Sequence, residues 1–384
     1  MLEVYATSIP LSRLLKPEEF GIENQVNRFT RILDRHARIW QPWTGMATIK
    51  EVARKAGVSM ATVSYVINDI HKVSTETERR VRQAAKELGY TSGRNGRGLT
   101  AAGSFAGLVV PDIGNPFFPE IMKSFQEAAN LAGMELIVMH TNSDAQRTRH
   151  TVERLSALPV AGAAFLTTQV DSAAKQALSE RGIAAVYLDY GSPGKRIATI
   201  AVDYRQGMLE AIDHLVTLGH RRVGLIGGPE DGIAAQKRKL AFLEGTARAG
   251  IEARVLDSDF SVQGGYFSCA KLLSAYNPTA VIAANDLMAI GALHCAFDRQ
   301  VRVPDELSLI GFDDITFAQF TQPALTTVAV PRAEIGRVAF EALSALIAHP
   351  NAEGATHAVA TGLVIRQTTT PVGAPAPPPR GPAV

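Results

Sequence analysis

Apolar residues along this chain keep two rhythms. Between residues 47 and 90 they recur every three to four positions, the spacing of a helix with one buried face. Thr48 stands three residues ahead of Glu51, a capping box that opens a first helix with Val52, Ala53 and Ala56 on one side, and Gly57 closes it. Ser59 caps a second helix whose buried stripe is Val63, Val66 and Ile67, and Asn68 and Asp69 stop it. A third helix starts at Ser74 or Thr75, turns Val81, Ala84, Ala85 and Leu88 inward, and ends at Gly89. Two helices joined by a tight glycine turn make the outline of a helix-turn-helix, whose second helix enters a DNA major groove N-terminus first. Ordinary helical bundles share that outline, so the pattern alone leaves both readings open.

From residue 105 the rhythm changes. Apolar runs at 105–110, 135–139, 161–166, 184–188, 222–226, 279–284 and 308–312 alternate with helical stretches, as in parallel sheets covered by helices on both faces. Such sheets bind ligands beyond the carboxyl ends of their strands. The segments after these runs carry Asp112, Asn115, Phe117, Asp189, Asn285 and Asp286. Carboxylates and amides hydrogen-bond hydroxyl groups, and aromatic faces cover the apolar face of a sugar ring, so a ligand cleft is expected there. The same residue types also serve as helix caps and core residues.

Charge divides along the same line. Residues 47–99 hold ten Lys and Arg against five Asp and Glu, a net +5, whereas residues 100–370 hold 22 against 27, a net −5. A small basic module suits a polyanion, because phosphate neutralisation and counterion release supply most non-specific affinity; a solvated charged surface would carry the same count. Residues 1–45 show no sustained apolar period, and residues 371–384 are rich in proline. The expected organisation is an extension over 1–45, ahead of Met46, then a helix-turn-helix module over 47–91 and a glycine-rich hinge over 92–104. A two-lobed effector and dimerisation module over 105–370 and a proline-rich tail follow.

Other classes lose support. No apolar run approaches the ~20 residues of a membrane span, and no basic segment leading into an apolar stretch opens the chain, so the expected location is the cytoplasm. Cys269 and Cys295 are too few for a disulfide framework and stand at no zinc-ligand spacing. The chain contains no G-x-G-x-x-G, G-x-x-x-x-G-K-[ST] or G-x-S-x-G string. No enzyme activity, cofactor or metal is expected.

The string Thr48-Ile-Lys-Glu-Val-Ala-Arg-Lys-Ala-Gly-Val-Ser-Met-Ala-Thr-Val-Ser-Tyr-Val-Ile-Asn68, followed by Val73-Ser74 and Glu87-Leu-Gly-Tyr90, closely resembles the DNA-binding headpiece of the LacI/GalR family. Pro111-Asp-Ile-Gly-Asn-Pro-Phe-Phe118, Leu218-Gly-His-Arg-Arg222, Ala284-Asn-Asp286, Ile310-Gly-Phe-Asp-Asp314 and Pro323-Ala-Leu-Thr-Thr327 extend the resemblance to roughly 47–370. It implies an all-α helix-turn-helix headpiece fused to an α/β, periplasmic-binding-protein-like effector module of two lobes. It further implies a homodimeric regulator, by default a repressor, on a pseudo-palindromic operator. Its effector would be a sugar or sugar derivative, with a purine-like corepressor as the other family option. A free-standing sugar-binding protein of transport or sensing would suit the body alone.

Site residues follow position by position. Met60 and Ala61 match the family's main base-reading positions, with Tyr65 one turn on; the first two offer apolar contact to a thymine methyl, and Tyr65 stands where many relatives carry arginine. Ser59, Thr62 and Ser64 are expected to position phosphates, and Thr48 and Asn68 complete the DNA-facing set of the headpiece. In the linker, Ser92-Gly-Arg-Asn-Gly-Arg-Gly-Leu99 keeps Arg97 and Leu99 at the family's hinge positions but breaks its helix with glycines. Arg238 resembles the family's effector-contacting arginine, and Phe260 its aromatic cleft residue. After Thr370 the tail has no apolar heptad, so a dimer is the largest assembly expected.

Overall fold

The computed structural model describes residues 49–67, 73–88, 105–167, 170–189 and 191–373, and the chain divides into two units, one ending at Gly96 and the other beginning at Arg97. In the first, α1 (Ile49–Ala56), α2 (Met60–Ile67) and α3 (Thr75–Glu87) enclose Val52, Ala53, Ala56, Val63, Val66, Val81 and Ala84. Gly57 takes a left-handed φ of +66° that a side chain would resist, and this lets α1 stop and the chain reverse. Ser59 Oγ accepts from Thr62 N at 3.1 Å to open α2, and Ser74 caps α3 in the same way. Arg80 donates to the Ala56 carbonyl at 2.5 Å, which satisfies one of the orphan acceptors at the end of α1.

In the second unit strands and helices alternate. The first stretch runs β1 (Phe105–Val110), α4 (Phe117–Leu131), β2 (Glu135–His140), α5 (Ala145–Ser156), β3 (Val160–Phe165), α6 (Ser172–Glu180), β4 (Ala184–Leu188) and β5 (Ile197–Asp203). Next come α7 (Tyr204–Thr217), β6 (Arg222–Ile226), α8 (Ile233–Ala249), β7 (Glu252–Leu256), α9 (Val262–Ala275), β8 (Ala280–Ala283), α10 (Asp286–Asp298) and β9 (Ser308–Asp313). The chain finishes with β10 (Thr326–Ala329), α11 (Arg332–Ala348), β11 (Thr356–Ala360) and β12 (Gly362–Val364). Two six-stranded sheets result, ordered β11-β5-β4-β3-β1-β2 and β12-β10-β9-β8-β6-β7. Every neighbouring pair is parallel except β10 and β12. Strands such as β1, β4 and β9 are buried at every residue, as parallel sheets covered on both faces require.

Each sheet with its helices is a lobe, and the chain passes between lobes three times: from β5 into α7, from β10 into α11, and from β11 into β12. The crossings are tied together at Thr361. Its hydroxyl donates to the Asp203 carbonyl at 2.6 Å and accepts from Gly207 N at 3.0 Å. A Cβ on Gly207 would stand 2.2 Å from Val328 and 2.6 Å from the Thr361 hydroxyl, so only glycine allows this approach. Cys269 and Cys295 are both buried thiols in the second lobe's core.

Candidate functional site

The carboxyl ends of the strands in both lobes face one cavity of about 610 Å³. The loop after β1 contributes Asp112, Asn115 and Phe117, and the end of β4 contributes Asp189. From the other lobe come Asp231, Arg238, Asp259, Phe260, Asn285 and Asp313, and Tyr204 enters from the first crossing. Seven of the eight cleft residues expected from sequence are therefore brought together.

Local chemistry explains their poses. Asn115 Oδ1 accepts from Phe117 N, the first amide of α4, at 3.0 Å, and the Phe117 ring stands edge-on to Phe118 at the cavity wall. Asn285 Oδ1 caps α10 by accepting from Met288 N at 2.8 Å, while its Nδ2 donates to the Phe260 carbonyl at 3.0 Å. That second bond holds Phe260 at φ +63°, a conformation a bulky side chain seldom adopts. Across the cavity, Asp189 accepts from Val202 N at 3.1 Å, from the Tyr204 hydroxyl at 2.6 Å and from Lys237 Nζ at 2.8 Å. Lys237 lies on α8, so this ion pair spans the two lobes.

Arg238 is the most constrained group. Its guanidinium donates to the Ala284 carbonyl and, at 2.9 Å, to Asp313, and it stacks 4.2 Å from the Phe312 ring centre and 4.6 Å from that of Tyr204. Its Nε, also buried, has no hydrogen-bond partner. Asp313 in turn binds Arg332 through its carbonyl, and Arg332 pairs with Glu120 of α4 at 2.7 Å, so a charged chain runs from the cavity floor into the first lobe. Burial pushes the Asp313 carboxyl up to about 6, against the pull of Arg238 and Arg332. Burial likewise holds the Tyr204 phenol well above its usual range, so it stays a neutral donor to Asp189.

Asp286 corrects the expectation from sequence. It is fully buried and turned away from the cavity: its carboxylate accepts from Ile315 N at 2.8 Å and from the Thr327 hydroxyl at 2.5 Å. As the first helical residue of α10, one position after the cap, it turns into the gap over Gly311. Its pKa is driven up by that burial, and its role is to fasten β9 and β10 to α10. Lys237, Tyr204, Asp231, Asp259 and Asp313 were not anticipated; Asp313 lies within the quoted Ile310–Asp314 motif, and a carboxylate at the end of a predicted strand was the available signal.

In the first unit, Ser59, Met60, Ala61 and Tyr65 are exposed along α2, and Thr62 and Ser64 are half-buried. Thr48, Asn68, Arg97 and Leu99, the extension over 1–45 and the glycine hinge lie outside the described residues, as does the tail beyond Gly373.

Residues 48–92 match the family of bacterial regulatory proteins, lacI family, and residues 212–369 match the periplasmic binding protein-like domain. The HTH-type transcriptional regulator DegA of Bacillus subtilis is 33% identical over 296 residues, 75% of this chain and 88% of its own length. The HTH-type transcriptional repressor CytR of Escherichia coli K12 is 34% identical over 298 residues, 76% of this chain and 87% of its own. This chain belongs to the lacI family. Among solved structures, the lac repressor dimer bound to operator and the anti-inducer ONPF superposes on it with a TM-score of 0.73 and 26% identity, covering 85% of this chain and 100% of that one. The complex of the transcriptional regulator CelR with cellobiose gives 0.65 and 29%, covering 84% and 99%.

The lacI-family headpiece makes the protein a DNA-binding transcriptional regulator, and the reading as a free-standing sugar-binding protein has no support. The two sheets and their cleft are the periplasmic-binding-like architecture expected for the body. Members of the family are regulators rather than enzymes. Among the described residues no helix is long and apolar enough to cross a membrane.

Proposed function

We propose that this lacI-family regulator acts in the cytoplasm as a homodimeric repressor whose hold on a pseudo-palindromic operator is set by a sugar or sugar derivative bound between the lobes. One observation carries the reading: the cavity is walled from both lobes by aromatic faces, Phe117 and Phe260, and floored by the buried Arg238, whose Nε–H is unspent. A donor nine-tenths buried and left unpaired costs about 1–3 kcal/mol, which a ligand oxygen accepting from it would recover. Structures of the same fold carry cellobiose and ribose. Because the ligand would touch both lobes, it favours one lobe arrangement over another and shifts the balance between DNA-competent and incompetent states. On the DNA side, Met60 and Ala61 would read apolar base edges in each half-site, Tyr65 a neighbouring base or phosphate, and Ser59, Thr62 and Ser64 phosphates.

The test uses the full-length chain. Purified protein should retard its operator fragment in a salt-dependent manner, a panel of free sugars should reveal one that raises its melting temperature, and that sugar should change operator affinity at least about tenfold. Failure of every sugar on the panel to do either, while a purine does both, would replace the carbohydrate reading with a purine corepressor.

A further inference from the structure

The cavity walls are strongly acidic. Among the described residues, five carboxylates line the cavity, Asp112, Asp189, Asp231, Asp259 and Asp313, against a single cation, Arg238. Two of the five are compensated inside the protein: Asp189 by Lys237 at 2.8 Å and Asp313 by Arg238 at 2.9 Å. Asp112, Asp231 and Asp259 take part in no ion pair among the described residues, and they come from both lobes: Asp112 from the loop after β1, Asp231 and Asp259 from the loops after β6 and β7. Hydrogen bonds from Ser261 O–H and N–H lower the Asp259 pKa and keep its carboxylate charged. Asp112 accepts from Gly114 N at 2.8 Å.

An opposing influence is present. Helices α4, α8, α9 and α10 begin at the cavity, and helix N-termini attract anions with roughly half a positive charge each. Here that attraction is already spent. Asp112 precedes the start of α4, Asp231 that of α8 and Asp259 that of α9 by two to five residues, so the protein supplies its own anion ahead of these three helices. Asn115 and Ser261 further occupy the first free amides of α4 and α9. Three whole negative charges outweigh four half charges that are already capped or faced by carboxylates, that of α10 being capped by Asn285. Arg238 does not reverse the sum, since its own charge is matched by Asp313; what it still offers is one N–H, suited to a hydroxyl or ring oxygen.

We propose that the cleft selects its effector by charge: it admits an uncharged carbohydrate, or one bearing an amino group, and rejects the phosphorylated or carboxylated form of the same sugar. This rests on the cavity being the effector site proposed above. The regulator would then respond to a sugar before its phosphorylation, so the reaction class that consumes its signal is a kinase or another step that adds negative charge.

The experiment titrates the full-length protein calorimetrically with matched sets: glucose, galactose, ribose and cellobiose, the monophosphates and uronates of the monosaccharides, and glucosamine and galactosamine. Where a free or amino sugar binds, its phosphate and uronate should bind at least about a hundredfold more weakly, about fivefold for each of the three facing carboxylates. In the triple variant Asp112→Asn, Asp231→Asn and Asp259→Asn, all exposed positions, that gap should shrink below about tenfold with the melting temperature retained. A phosphate or uronate that binds as tightly as its parent, with binding lost in Phe260→Ala, overturns charge selection and leaves the cavity as the effector site. A gap unchanged in the triple variant overturns the assignment to these carboxylates. If no member of the sets binds, or binding survives Phe260→Ala, the cavity reading itself falls and the proposal with it.

Discussion

On helix α2, Met60 and Tyr65 leave 53% and 38% of their surfaces in solvent, whereas Arg238 in the cleft leaves 4% and the Asp189 side chain 2%. The difference is one of entanglement. Residues on the exposed face of α2 stand in solvent, so under the reading proposed above they change what DNA is read with little change in how the headpiece folds. Arg238 and Asp189 are each held by two or three partners, most of them from other elements, so at these two residues ligand recognition and the integrity of the lobes rest on the same bonds.

The sharpest way to break that contrast is Arg238→Met. It should cost about 3–5 kcal/mol in urea unfolding, because Asp313 is left buried beside a single remaining cation, and it should abolish the effector's thermal shift. Gly311→Ala separates packing from recognition: a Cβ there would stand 2.2 Å from the Asp286 carboxylate, so about 1–3 kcal/mol of stability should go while effector affinity stays within about twofold. A parallel loss of affinity would put Asp286 back in the binding site. Lys237→Met should cost at most about 1 kcal/mol, since the lysine is well exposed and Asp189 keeps Tyr204 and Val202. Effector-dependent change in operator affinity should move more than stability does, because the lost pair joins the lobes. Exchanging Met60 and Ala61 should leave unfolding within about 0.5 kcal/mol, yet shift preference between half-sites by about 1–3 kcal/mol in competition anisotropy. A uniform loss over all half-sites would make these two residues structural.

How far the sequence could be read follows the same division. Runs of apolar residues buried on both faces announced β1, β4 and β6 at their observed bounds, because a central parallel strand has no polar positions to blur it. Missed strands such as β7 and β11 lie at or near sheet edges and mix exposed polar residues with half-buried ones, which leaves no continuous run to find. Cleft residues that follow a legible strand, such as Asp112 and Asn115, could be placed by that strand. Lys237 could not, because its partner lies 48 residues away and on another lobe. Asn285 and Asp286 show the finest limit: adjacent residues at one helix start, of which one lines the cavity and the other faces the core, where the missing Cβ of Gly311 makes room for it.

The three passages between lobes also order events during synthesis. β11, which completes the first lobe's sheet beside β5, is not made until the whole of β6 through β10 has been synthesised. A chain released at residue 330 therefore carries all of the second sheet but β12, and a first sheet with β5 as a bare edge, open to pairing with another strand. Neither lobe corresponds to one continuous stretch of the gene, so a deletion that trims the last forty residues of the body removes strands from both sheets at once. Fragment swaps between relatives would respect the fold only if cut ahead of β1 or exchanged at all three passages together.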